Sequence, residues 1–167
     1  MLTMDIRLKL PTLLLQQIRT DLRIPHAFAA ERVGFVSCAV GAIVGGIAVL
    51  AHGYHPVDDG DYVDNPRYGA MMGSGAIRKA LQFAFNNKAA MFHVHLHEHM
   101  GKPRFSRTDL AEYPKFVPDF WKVQPDLPHG ALLLSEDRAT ALVWHPGLRQ
   151  PQPAGEIWEI GAKMRKL

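Results

Sequence analysis

The segment from Val33 to Ala51 carries no charged residue, and it limits the possible folds more than any other stretch of the chain. A helix that crosses a bilayer needs about 20 apolar residues, so length alone would allow a membrane segment. The glycines argue against it: Gly34, Gly41, Gly45 and Gly46 interrupt the run, and Gly45-Gly46 is a turn signal between two β-rich stretches. The expectation is a pair of buried neighbouring strands, Val33 to Val40 and Ile47 to Tyr54, in a cytoplasmic protein with no membrane contact.

The rest of the chain supplies partners for that pair. Asp5 to Leu10 alternates polar and apolar residues, as a strand with one wet face does. Leu13, Leu14, Leu15, Ile18 and Leu22 then recur at helical spacing from Pro11-Thr12 to about Arg23. A polar stretch from His55 to Gly73 reads as a long surface loop, and loops of that length are often functional. Ser74 is placed to cap a helix bearing Ile77, Leu81, Ala84 and Phe85, with Asn86-Asn87 as its stop. Ala89 to His95 predicts a third internal strand. Leu110 to Pro128, rich in proline and aromatics, predicts a helix start followed by an irregular cover. Gly130 to Ser135 and Ala139 to His145 predict a hairpin, and Glu156 to Ile160 a last strand. This order predicts an α/β (α+β) fold, a mixed β-sheet packed against helices, with residues 1–167 as a single domain.

Composition removes several function classes. The net charge of +3 is small for 167 residues, and the basic residues are dispersed apart from Lys163 to Lys166, which argues against nucleic-acid binding. A single cysteine, Cys38, cannot form an internal disulfide, and its apolar surroundings predict a small buried residue rather than a nucleophile. Met1 to Arg7 lacks the order of a secretory signal.

His93, His95, His97 and His99 alternate where the third strand runs out. Odd positions of an extended segment share a face, so parity alone does not choose between His95/His97 and His93/His95. Two such imidazoles, with an aspartate returned by a short loop, make a three-ligand metal site that leaves one position for water. That donor set suits zinc in a catalytic setting. Ser106-Arg107-Thr108-Asp109 supplies the aspartate. It also has the form of a capping box, in which Ser106 and Asp109 satisfy backbone donors at a helix start. His26, His52, His55, His129 and His145 have no partner at metal spacing and read as structural or surface residues. Phe120-Trp121 fits either a substrate groove or a buried cover.

Taken with Glu31-Arg32-Val33-Gly34-Phe35-Val36, these residues resemble the JAMM metallopeptidases of the JAB/MPN family. Their pattern joins Glu-x-x-Gly-hydrophobic-hydrophobic to His-x-His, seven residues and Ser-x-x-Asp. Here eight residues separate His97 from Ser106, one more than usual, while Gly101 to Ser106 is similar to the Gly-x-Pro-x-x-Ser run of bacterial members. The resemblance implies a JAB/MPN-like (cytidine deaminase-like) fold and a zinc ion held by His95, His97 and Asp109. It further implies Glu31 as the acid–base that moves the water's proton, and Ser106 as a donor to the developing oxyanion. The implied activity is cleavage after the C-terminal tail of a ubiquitin-like protein, beside E1-like and E2-like partners, in a bacterial conjugation system with an antiphage role. Nearer and farther alternatives are a JAB-type hydrolase that frees an amino acid from a sulfur-carrier protein, a non-catalytic MPN-like scaffold, and a histidine-rich metal carrier.

Overall fold

The computed structural model describes residues 3–167, so Met1 and Leu2 of the N-terminal stretch lie outside it. The chain runs β1 (Asp5–Pro11), α1 (Thr12–Leu22), β2 (Val33–Ile43), β3 (Gly46–Pro56), α2 (Ser74–Asn87), β4 (Ala90–Leu96), α3 (Arg107–Phe116), β5 (His129–Leu134), β6 (Ala139–Trp144), β7 (Gln152–Pro153), β8 (Glu156–Ile160) and β9 (Met164–Lys166). Short 3-10 turns occupy Asp59–Asp61 and Val117–Lys122.

The strands form one mixed sheet in the order β7-β6-β5-β4-β2-β3-β1-β8-β9. β1 lies parallel to β3 and to β8, β4 lies parallel to β5, and the other neighbours are antiparallel. The uncharged run is the β2/β3 hairpin, turned at Gly45, whose φ of +75° costs a residue without Cβ little. Among the described residues, no helix is long and apolar enough to cross a membrane.

The two faces of the sheet are covered differently. On one, Leu15, Ile18 and Leu22 of α1 pack against Leu8, Val49, Val36, Phe92 and Val94. Burying such a side chain stabilises by about 1.5–3 kcal/mol, which holds α1 without any side-chain cap at Pro11. Leu13, expected on that stripe, is 80% exposed, because it follows Thr12 at the start of the helix and turns outward. On the other face lie α2, α3 and the aromatic cover, against Val33, Phe35, Met91 and Ala131.

α2 corrects the sequence reading in two ways. Gly73, not Ser74, is its N-cap, with no side-chain hydrogen bond, and Lys88 ends it in the left-handed conformation after Asn86-Asn87 have completed the last turn. Its buried face is the small stripe Ala76, Ala80 and Ala84, which lets the helix lie close to the sheet. Ile77 and Leu81 are only partly covered and Phe85 faces outward. β7 and β9, too short to show alternation, were not expected.

Candidate metal centre

Every residue of β4 is buried, with β2 on one side and β5 on the other. Phe92, Val94 and Leu96 enter the α1 core, so the odd residues emerge beneath α3. His93 is caged by Phe35, Tyr113 and Phe116, at ring-centroid distances of 5.5–5.7 Å. His95 comes next, and His97 follows just past the strand end, its N–H donating to the Leu134 carbonyl at 2.9 Å.

The antiparallel register explains why Glu31 joins them. Val33 lies opposite His95 and Phe35 opposite His93, so the segment leading into β2 arrives beside the end of β4, where Glu31 meets His95 and His97. The Glu31 N–H donates to the Gly69 carbonyl at 2.9 Å. Next to it, the Arg32 guanidinium donates to the Ile24 and Pro25 carbonyls and pairs with Asp59 at 2.6 Å. Gly34 has a steric reason of its own: a Cβ there would stand 2.5 Å from Cε2 of Tyr54, whose hydroxyl donates to Asp21.

Glu31, His95 and His97 each present a ligand atom within 4.8 Å of the other two, a set able to hold a metal ion. The condition of His95 agrees with that use. In the tautomer that leaves the Nε2 lone pair free, Nδ1–H donates to the Tyr113 hydroxyl, 3.3 Å away. Nε2 is then buried without a hydrogen-bond partner, a costly state for a polar atom unless a ligand completes it.

Asp109 stands at the edge of this set. Its Oδ2 is 3.6 Å from His95 Nε2 and accepts from the Ser106 N–H and from Ser106 Oγ, each at 2.8 Å. The Asp109 N–H donates back to Ser106 Oγ, so the capping box is formed in full. Burial raises the Asp109 carboxyl, but when His95 is protonated and its Nε2–H faces Oδ2, that imidazolium and the two Ser106 donors outweigh burial and hold the group well below the usual carboxylate range; the metal-binding tautomer, with Nε2 unprotonated, lacks the His95 part of this effect. The Ser106 hydroxyl hydrogen is engaged by Asp109, so it must turn away before it can serve an oxyanion. Burial, and then the neighbouring His95, lower His97, with Glu31 and Asp109 opposing. Burial also pushes His93 down to about 3, so it is neutral near pH 7.

The centre opens into a cavity of about 530 Å³. One wall is Arg67 to Met72, from the long loop, and the other is Glu112, Tyr113, Lys115, Phe116 and Asp119. Phe120 and Trp121 do not line it. Phe120 is buried on Phe35, and Trp121 donates its indole N–H to the Leu127 carbonyl, so they form the cover. His129 is structural, accepting from Met91 N–H and bonding the Gln124 carbonyl. His26 accepts from the Phe28 and Ala29 N–H groups in the turn before Glu31, and His52 and His55 both approach Ser37 Oγ. Cys38 is buried, and burial raises its thiol far from a reactive state.

Tyr113 is the site residue the motifs missed. It follows Asp109 by four positions, one turn along the same helix face, and that spacing was the available signal.

No protein-family model matches this chain, and no curated protein matches it. Its fold and site therefore define the class no more finely than a mixed α/β protein with a His/His/Glu set able to hold a metal ion.

Proposed function

We propose that this chain is a zinc-dependent peptidase or isopeptidase of the JAMM type, with a JAB/MPN-like fold, that cleaves after the C-terminal tail of a ubiquitin-like protein. The observation that carries the reading is the convergence of Glu31, His95 and His97 around a buried, unpartnered imidazole nitrogen. His95, His97 and Asp109 are the assigned zinc ligands. Bound zinc supplies Lewis acidity and water with a pKa near 7.

The chain's own residues then have separate tasks. Tyr113 fixes the His95 ring through Nδ1. Glu31, held by Gly69 and by the Arg32 clamp, takes the proton of the attacking water and returns it to the departing amine. Ser106 turns from Asp109 to donate to the oxyanion. The two cavity walls hold the tail extended, which presents its carbonyl to the centre. E1-like and E2-like proteins of a bacterial ubiquitin-like conjugation system are the proposed partners.

The test is zinc per chain, together with hydrolysis of ubiquitin-like fusions, in the parent, Asp109→Ala and Glu31→Gln, with folding followed by circular dichroism. Glu31→Gln is expected to keep zinc and lose about 10²–10⁴ in turnover, whereas Asp109→Ala loses zinc. Zinc lost from Glu31→Gln but kept in Asp109→Ala would make Glu31 the third ligand and overturn its role as the base.

A further inference from the structure

The cavity is larger than a metal and its water require, and part of its lining is apolar. Beside the metal-centre residues its lining includes the apolar side chains of Val33, Met72, Ile77 and Phe116, together with His93. His93 is 6% exposed, and its Nδ1 has no hydrogen-bond partner. A buried polar atom in that state is expensive, and a ligand group can complete it. A cavity of about 150 Å³ is enough to admit benzene, so about 530 Å³ has space for a ring beyond the centre.

We propose that the apolar part of this cavity beside His93 is a binding subsite for an aryl group bearing one amide or hydroxyl, packed against Phe116 and hydrogen-bonded to His93. The ring-on-ring contacts His93 already makes with Phe35, Tyr113 and Phe116 show an environment that favours aromatic edges and faces. Ile77 and Met72, each half-covered, add apolar surface to the lining of the same cavity. The identity of the ring's owner rests on the peptidase reading. The peptidase reading takes the ubiquitin-like tail to end in glycine, which has no ring to offer, so the ring is assigned to the residue on the amine side of the scissile bond. The substrate is then a ubiquitin-like precursor whose extension begins with an aromatic residue, rather than a lysine isopeptide.

The subsite can be tested without zinc and without turnover. Benzamide and acetamide are titrated by NMR into the full chain kept metal-free with chelator. Benzamide is expected to bind at least tenfold more tightly. Ile77→Trp, which fills the subsite from a partly exposed position, should raise its dissociation constant at least tenfold. Met72→Trp fills it from a second lining position if Ile77→Trp does not fold. Equal binding of the two amides, or benzamide binding that survives in a folded Trp variant, would overturn the subsite. Benzamide binding by a protein that takes up no zinc would keep the subsite and defeat the peptidase reading. Zinc uptake without benzamide binding would do the reverse.

Discussion

His93 gives a measurable acid sensitivity to the folded state. In the cage of Phe35, Tyr113 and Phe116 it stays neutral down to about pH 3, whereas in the unfolded chain an imidazole takes up its proton near 6.5. The unfolded state therefore binds more protons below pH 6.5, and stability falls as the pH drops through the window from 6.5 to 3. With those two pKa values, His93 alone removes roughly 2 kcal/mol between pH 7 and pH 5. His93→Phe replaces the ring with one that does not titrate and suits aromatic neighbours, so this part of the slope disappears. The assay is urea unfolding at pH 7 and pH 5, followed by circular dichroism with chelator present, on parent and variant at matched ionic strength. The variant should lose about 2 kcal/mol less than the parent over that interval. An identical loss in both would refute the reasoning, because it would mean His93 exchanges protons with solvent in the native state.

Further outcomes follow from neighbouring contacts. Tyr113→Phe keeps the buried ring but removes the hydroxyl from His95 Nδ1. At 3.3 Å the contact is long, so affinity for the proposed zinc, measured by chelator competition, should fall by about tenfold, the low end of the range for outer-sphere partners. Gly34→Ala drives a methyl into the Tyr54 ring, and chemical denaturation should show a loss of about 1–3 kcal/mol from overpacking. Asp109→Asn removes a carboxylate held below its ordinary pKa. That group stabilises the fold above pH ~4 and loses the effect as the pH falls, so the variant should unfold less steeply with pH in that acid range when followed by circular dichroism.

The parts of the fold that sequence reading recovered are those governed by one local rule. The β2/β3 hairpin follows from an uncharged run split by glycine, and the β5/β6 hairpin from a three-residue polar turn. α2 misled because its apolar residues of largest volume are not the ones that pack. An alanine stripe buries little area per residue, but it permits the close approach that the sheet selects, and only the tertiary arrangement reveals that choice. In the site, parity could not rank the histidines; in the fold, His95 and His97 are the two that converge with Glu31. His93 lies under the aromatic cover, and His97 lies beyond the last ladder residue with room to reach Glu31. The capping box of Ser106 and Asp109 was legible as a pattern. That the carboxylate would face His95 from the capping box depends on where α3 sits, which no local spacing encodes.

The β2/β4 ladder, which delivers Glu31 beside His95 and His97, also makes site assembly self-checking. A strand displaced by one position exchanges its two faces. Such a slip in β2 would carry Phe35 out of the aromatic cover and Val36 out of the α1 core, along with separating the glutamate from the histidines. Molecules with a misaligned centre are thereby also molecules with a broken interior, left exposed to unfolding and proteolysis. Quality control of the fold and quality control of the candidate site are then a single event.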